Sequence, residues 1–205
     1  MAKSRKQKYR KGRRKCAFCG GFKISKEHIF PDWLKEFFPR DDKATHRAAH
    51  FIWPENIITK VPIEERRYLQ GHVGALKVKV VCERCNNGWL SALEERTKPI
   101  LIPLLKGQRR NLPLDDQMIL ATWCTKTSMT AEHLRPRQKG ISQEERTWLM
   151  DNLIPPTNWF IWVGSYDGEI WRELSIFQNR GRLNLTPISR PSEGQFYIQA
   201  TTFGI

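Results

Sequence analysis

The order of apolar and polar positions predicts a chain that mixes strands and helices. Apolar and charged residues alternate over Leu76–Val80, and this period of two predicts a half-buried strand. A helical period follows over Asn86–Thr97, where Pro99 is expected to end the helix, and again from Asp115 to about Leu134. Ser142 and Glu145 have capping-box spacing, which predicts a shorter helix that ends before Pro155-Pro156.

The remaining segments carry weaker patterns. An apolar stripe predicts a short helix over Phe30–Phe38, whereas residues 40–74 show little periodicity and are predicted to form an irregular insertion. Near the C-terminus we expect strands over Trp159–Val163 and Glu169–Phe177, joined through an Asp-Gly turn, and a further strand over Gln195–Phe203. The predicted fold class is therefore α+β, with antiparallel strands in the C-terminal unit.

Length and composition divide this pattern into three parts. The chain has 205 residues, of which 40% are hydrophobic, and this is enough apolar material for a packed core. We predict a disordered basic arm over residues 1–15, a first domain over 16–110 with its insertion at about 40–74, and a second α+β domain over 111–205 whose role the sequence does not indicate.

The charge of the chain predicts a polyanionic partner. Lys and Arg number 35 against 21 acidic residues, so the formal net charge is +14. Nine of the basic residues lie within the first fifteen positions, where they could follow a phosphate backbone or act only as a solubilising tail. The sequence contains neither a membrane-length apolar run nor a secretory segment, so we expect a cytoplasmic protein without a membrane partner.

Four of the five cysteines form two Cys-x-x-Cys pairs. Cys16 and Cys19 make the first pair, and Cys82 and Cys85 make the second. Two thiolates on a tight turn occupy one side of a tetrahedral ion, and a second pair completes a closed structural Zn²⁺ site. The alternatives are two disulfides, which are rare in intracellular proteins, or two redox motifs, which require a thioredoxin-like context that is not evident here.

Two further motifs lie beside these pairs and give a family resemblance. Glu27-His28 follows the first pair and precedes Pro31, and Asn86 directly follows Cys85. This order of motifs, over about residues 16–98, resembles the HNH endonuclease family, and in particular zinc-stapled HNH-like proteins of bacteria and phages. The resemblance implies a ββα-metal module, in which a hairpin and a helix hold one catalytic divalent ion.

The resemblance also implies a role for each matching residue. His28 corresponds to the general base that activates water, and Glu27 and Asn86 correspond to ligands of a catalytic Mg²⁺ or Mn²⁺. Carboxylate and amide oxygens suit these hard cations, and imidazole has an ordinary pKa that suits proton transfer near neutrality. The implied activity is metal-dependent hydrolysis of phosphodiester bonds in DNA, with RNA left open as a substrate.

Nucleic-acid contacts are expected from basic residues near this site and in the arm. These residues are Arg13, Arg14, Lys77, Lys79, Arg84, Arg109 and Arg110. The Trp-rich C-terminal domain is a candidate surface for a protein partner. The alternative function is a non-catalytic zinc module that binds nucleic acid or a ribonucleoprotein. It is favoured because Lys77–Val81 contains no counterpart of the middle Asn of the family.

Overall fold

The structure, a computed structural model, describes residues 14–38, 45–52, 63–134, 140–165, 174–185 and 192–203. Within these ranges helices and strands both occur, in agreement with the predicted α+β class. The strands are β1 (Ile24–His28), β2 (Thr45–Ile52), β3 (Ile63–Gln70), β4 (Lys77–Cys82), β5 (Leu174–Leu185) and β6 (Ser192–Phe203). The helices are α1 (Glu83–Cys85), α2 (Ser91–Leu105), α3 (Leu114–Ala131) and α4 (Gln143–Asn152).

Short helical turns join several of these elements. A 3₁₀ turn spans Asp32–Glu36, where the sequence predicted a short helix, and others span Val73–Ala75 and Glu132–Leu134. A π-helical turn, Asn86–Leu90, connects α1 to α2. Among the described residues, no helix combines the length and apolar character needed to cross a bilayer.

The hairpin of β1 and β4 is the element that organises the N-terminal half. The two strands pair antiparallel, with Ile24 opposite Cys82 and His28 opposite Lys77, so the predicted strand at Leu76–Val80 is confirmed within two residues. The register shifts between Ser25 and Glu27, where β4 contains one extra residue. A bulge of this kind bends the strand and changes the direction in which its side chains point.

Helix α2 extends beyond the predicted stop at Pro99. It contains Pro99 and Pro103 and ends at Leu105. Each proline removes one backbone hydrogen bond from the helix. The helix nevertheless continues because Ile100, Leu101 and Leu105 are buried in the core, which offsets that cost. The expectation that Pro99 ends the helix is therefore wrong.

The insertion contains regular structure that the sequence pattern did not predict. β2 and β3 form an antiparallel hairpin, from Thr45 opposite Gln70 to Ile52 opposite Ile63. The expectation of an irregular segment is wrong for these two strands. Charged and apolar residues do not alternate strictly in either strand, so the sequence lacks the alternation that predicts a strand. The backbones nevertheless pair along the full length of both strands.

The C-terminal strands also differ in part from the prediction. Residues 159–163 form no strand, and β5 pairs with β6 along its full length, from Leu174 opposite Phe203 to Leu185 opposite Ser192. The predicted strand at Gln195–Phe203 is confirmed, while the Asp167-Gly168 turn lies outside the described residues. In residues 159–163 the aromatic side chains alone suggested a strand, but Phe160 and Trp162 are exposed and stack on each other.

Two clusters of buried residues form the core. The first joins the residues after β1 to α2 and α3, through Phe30, Leu34, Ile100 and Trp123. The second surrounds the cysteines and includes Phe18, Val81, Leu90, Met129 and Leu149. Trp89 packs against both clusters, and Trp33 packs against the first, as expected for core aromatics. Helices on both sides of residue 110 thus share one packed interior.

Helix α4 is fixed to this interior at its start and along its length. The capping box predicted for Ser142 and Glu145 is confirmed, since each side chain bonds the other residue's backbone N–H. Arg146 is buried, donates to the Met129 carbonyl at 2.7 Å, and forms an ion pair with buried Glu132. Because a buried charge is tolerated only when it is paired, these contacts specify how α4 sits against α3.

Candidate metal centre and the adjoining hairpin face

The four predicted metal-binding cysteines come together although 62 residues separate the two pairs. The sulfurs of Cys16, Cys19, Cys82 and Cys85 all lie within 4.8 Å of one another, and Cys19 Sγ is 3.5 Å from Cys82 Sγ. A tetrahedral site with Zn–S distances of about 2.3 Å places its sulfurs about 3.8 Å apart. The cluster therefore could hold a metal ion such as zinc, and the thiols are free rather than disulfide-bonded.

The first cysteine turn is built by two glycines. Gly20 adopts φ +68°, a left-handed conformation that favours glycine, and lets the chain reverse between Cys19 and Gly21. The N–H of Gly21 points at Cys19 Sγ at 3.4 Å, and a Cβ on Gly21 would lie 3.2 Å from that sulfur. The Cys16 N–H donates to the Gly21 carbonyl at 2.7 Å and closes the turn.

The proximity of the thiols changes their acidity. Burial acts to raise the pKa of Cys19, but the Gly21 N–H and the other three thiols lower it to about 6. Burial raises the pKa of Cys82 and Cys85. A hydrogen bond to the Cys19 sulfur, together with its negative charge, raises the pKa of Arg84. The cluster thus favours a thiolate at Cys19 beside protonated Cys82 and Cys85, and a bound metal ion would displace the protons of its ligands.

Glu27 faces the interior rather than solvent. It lies opposite Val78 on β4, and only 5% of the residue is exposed. Its Oε1 is 2.8 Å from the Nζ of Lys126 on α3, a fully buried lysine that also lies 2.9 Å from Glu94 Oε1 on α2. These three residues form what we call the buried triad. It connects the hairpin to two helices.

The charges of the triad have opposing effects on acidity. Burial raises the pKa of Glu27, and the nearby positive charge of Lys126 only partly counters this. Burial acts to lower the pKa of Lys126, but the two carboxylates more than offset it and leave the pKa raised. Lys126 is therefore a protonated ammonium held between two carboxyl groups.

This arrangement does not fit a catalytic divalent ion at Glu27. A lysine ammonium already lies at hydrogen-bond distance from the Glu27 carboxylate, in the position that a bound cation would occupy. A divalent ion placed beside that ammonium would be repelled by it in a site from which water is excluded. The assignment of Glu27 and Asn86 to Mg²⁺ or Mn²⁺ stays a prediction.

His28 lies on the opposite face of the hairpin from Glu27, since consecutive strand residues point to opposite sides. Its side chain is 26% exposed, and its Nε2 is 3.8 Å from the Asp32 carboxylate. Lys77, the residue directly opposite on β4, is exposed and shares this face. A half-exposed imidazole, a carboxylate and a lysine thus lie together at the end of the hairpin.

Asn86 contacts the other end of β1. Its Nδ2 donates to Ser25 Oγ at 3.1 Å, and Ser25 Oγ donates to the Val81 carbonyl at 3.1 Å. Asn86 begins the π-helical turn, in which Gly88 has non-helical angles of φ −99° and ψ −113°. The structure thus connects Asn86 to the Ser25 end of β1, whereas Glu27 contacts Lys126 and His28 lies near Asp32.

The predicted nucleic-acid contacts differ in their surroundings. Arg110 donates to the Pro99 carbonyl at 3.1 Å and pairs with Asp116 at 3.0 Å, so it also bridges α2 and α3. Arg13 lies outside the described residues. The others are exposed, and most surround the hairpin and cysteine cluster: Arg14, Lys77, Lys79, Arg84 and Arg109.

Lys126 is the residue of this region that sequence reasoning missed. A signal for it exists, because it is the one charged residue within the otherwise uncharged run Met118–Ala131. A charge in such a run is either a break in the apolar face or a buried partner for distant acids. Sequence spacing alone cannot identify those acids, since Glu27 is 99 residues away.

A comparison of this chain with models of known protein families, with curated proteins and with solved structures finds no match.

Proposed function

We propose that the protein is an HNH-type endonuclease that hydrolyses phosphodiester bonds of nucleic acid, DNA in the first place. A structural zinc ion in the four-cysteine cluster would hold the turn at Cys16 against the β1–β4 hairpin and the start of the helical segment. His28 would act at the far end of the same hairpin. The proposal combines the order of the motifs with the placement of these side chains.

One observation carries the proposal. The hairpin places His28 beside Lys77 on an exposed face, within 3.8 Å of a carboxylate, while Glu27 next to it is buried. Imidazole exposed to solvent can accept a proton from water, a neighbouring carboxylate can orient it, and an ammonium can bind a phosphate oxygen. These groups can bind a phosphodiester and deprotonate a water molecule beside it.

The chemistry assigned to this chain uses only those groups. Lys77 would hold the phosphate, Asp32 would fix the orientation of the imidazole, and His28 would take the proton of the attacking water. As the water oxygen bonds to phosphorus, the P–O bond to the leaving strand breaks, and the leaving oxygen takes a proton from the solvent that reaches this exposed face. No step is assigned to a divalent ion at Glu27, because the carboxylate of that residue is paired with Lys126. Whether cleavage depends on a divalent ion bound elsewhere is tested by adding Mg²⁺ or Mn²⁺ to the nicking assay.

A non-catalytic nucleic-acid-binding module is the second candidate. The buried triad favours it, since the residue that matches the family's acidic metal ligand is engaged with a lysine. In this case the zinc cluster and basic residues would bind nucleic acid without cutting it. The two candidates differ in one measurable property, the appearance of cleaved strands.

Replacement of His28 by Ala is expected to reduce strand cleavage about 100- to 10,000-fold, the range by which general acid–base catalysis accelerates reactions. The measurement is nicking of supercoiled plasmid by the zinc-loaded protein, with and without Mg²⁺ or Mn²⁺. Because the His28 side chain lies at the surface end of β1, the zinc content and thermal unfolding of the variant should match those of the wild type.

His72→Ala serves as the matched control. His72 is half-buried in the turn before β4, where its Nδ1 accepts a hydrogen bond from the Gly74 N–H at 3.0 Å. We expect it to keep its nicking activity. Equal cleavage by wild type and His28→Ala would refute the assignment of the base, and binding without cleavage by the wild type would establish the second candidate.

A further inference from the structure

Phe22 is an exposed aromatic residue on a rigid loop. It lies between the first cysteine turn and β1, and 53% of the residue is exposed. The carbonyls of both adjacent residues are bonded, Gly21 O to the Cys16 N–H at 2.7 Å and Lys23 O to the Glu83 N–H at 3.1 Å. The ring therefore projects from a backbone that is fixed at both sides.

The backbone at this loop adopts an unusual conformation. Lys23 has φ +62°, which is uncommon for a residue other than glycine. This left-handed residue turns the chain into β1, where Ile24 pairs with Cys82. Such conformations persist only where the surrounding structure holds them, and they cluster at binding sites.

The surroundings of Phe22 are basic. Phe22 shares a shallow surface depression with Arg14, Lys23 and Ile24, so two cations flank the ring. The exposed charges of the adjoining turn and hairpin are Arg14, Lys15, Lys23, Lys26, Lys77, Lys79 and Arg84, against the acid Glu83. We call Arg14, Phe22 and Lys23 the aromatic–basic site. It lies next to the chain segment that contains the nine basic residues of the N-terminus.

We propose that the aromatic–basic site binds an unpaired nucleotide of a nucleic-acid strand, with its base stacked on Phe22 and its phosphates on Arg14 and Lys23. Base stacking on aromatic side chains tolerates any sequence, and flanking cations bind the backbone. In a duplex the base faces are covered by their neighbours, so the ring would have no face to contact. An apolar protein partner would leave the two cations unpaired.

This inference deepens the proposed function, on which it rests for the identity of the ligand. It specifies that the strand entering the site is single-stranded or locally unpaired. β1 extends from the aromatic–basic site to His28, a distance of about 13 Å for four residues of strand. Lys26 is exposed on this strand, and Lys77 and Lys79 are exposed on β4, so basic residues continue from one site to the other.

The test compares binding of three nucleic-acid probes to the full chain loaded with zinc. Every protein carries His28→Ala to prevent cleavage. The probes are a labelled 12-nucleotide single strand of thymidines, a strand of equal length in which abasic sites replace the bases, and a 12-base-pair duplex. Fluorescence anisotropy at low salt gives the affinities.

Phe22→Ala is expected to weaken binding of the thymidine strand about tenfold, within the range found for loss of one stacked base. Binding of the abasic strand and the duplex should not change, and Phe22→Trp should retain the affinity. Phe160→Ala provides the matched control, because Phe160 is 75% exposed but has no charged residue among Leu153–Val163 beside it in sequence.

The outcomes separate this inference from the proposed function. Equal affinities of Phe22→Ala and its parent for the thymidine strand, or an equal loss for all three probes, would overturn the aromatic–basic site. The specific loss in a protein whose wild type never cuts DNA would support the site and refute the nuclease. Absence of binding to every probe by the parent protein would refute both.

Discussion

Removal of metal from the four-cysteine cluster is expected to unfold the N-terminal half of the protein. The cluster joins two stretches that are 62 residues apart, and Cys16, Cys82 and Cys85 are buried in the same core as Phe18 and Val81. Structural zinc contributes about 10–16 kcal/mol in zinc-finger peptides. Cys82→Ser should therefore lose bound zinc and show a large fall in thermal stability, measured by metal analysis and circular dichroism.

The fifth cysteine supplies the control for this experiment. Cys124 lies in α3, outside the cluster, where burial raises the pKa of its thiol to about 11. Cys124→Ala should keep a full complement of zinc and lose no more than about 1–2 kcal/mol, the scale of a small change in a core. If Cys82→Ser melts at the same temperature as Cys124→Ala, the cluster does not hold the fold together.

Replacement of Lys126 by Met is expected to produce the second large effect. It would leave the carboxyl groups of Glu27 and Glu94 without their buried cation, and loss of one partner of a buried pair costs about 3–5 kcal/mol. Chemical denaturation measures the free energy of unfolding. Lys98→Met is the matched control: Lys98 pairs with Glu95 on the exposed side of α2, and such pairs contribute less than about 1 kcal/mol.

The loss of unfolding free energy in Lys126→Met should depend on pH. Burial holds the pKa of Glu27 above its ordinary value. At a pH between the unfolded and folded pKa values of Glu27, the folded protein therefore binds more protons than the unfolded chain. Its stability therefore rises as pH falls from the folded pKa of Glu27 towards the unfolded one. Because the variant lacks the ammonium that counters this shift, it should recover stability at acid pH more than the wild type does.

A second substitution distinguishes charge from packing. In Glu27→Gln/Lys126→Met the buried carboxylate is replaced by a neutral amide, so the double variant should be more stable than Lys126→Met alone. An unfolding free energy for Lys126→Met within about 1 kcal/mol of the wild type would show that the buried triad contributes little. A double variant less stable than the single one would show that packing, not charge, dominates.

The parts of the structure that the sequence predicted are those with short-range patterns. The alternation at Leu76–Val80, the capping box at Ser142 and the two Cys-x-x-Cys pairs each occupy a few residues, and each forms as expected. The two pairs predict a common metal site because together they supply the four ligands of a tetrahedral ion. No pattern in the intervening residues was needed.

The parts that were not predicted depend on contacts between distant residues. Glu27 was predicted from its motif to be a ligand of a catalytic divalent ion, and only the fold shows that Lys126 and Glu94 meet it in the interior. Pro99 was expected to end α2, but apolar residues beyond it pack against α3 and extend the helix. Local sequence rules describe which secondary structure or environment a residue prefers. Where two outcomes have similar free energies, burial in the tertiary structure decides between them.

We propose that the four cysteines bind one zinc ion, which joins the Cys16–Cys19 turn to the end of β4 and to α1. X-ray absorption spectroscopy at the zinc edge, with metal analysis, tests it most directly. The account predicts one zinc per chain with four sulfur ligands at about 2.3 Å. Less than one zinc per chain, nitrogen or oxygen in the coordination shell, or oxidised cysteine pairs in the purified protein would contradict it.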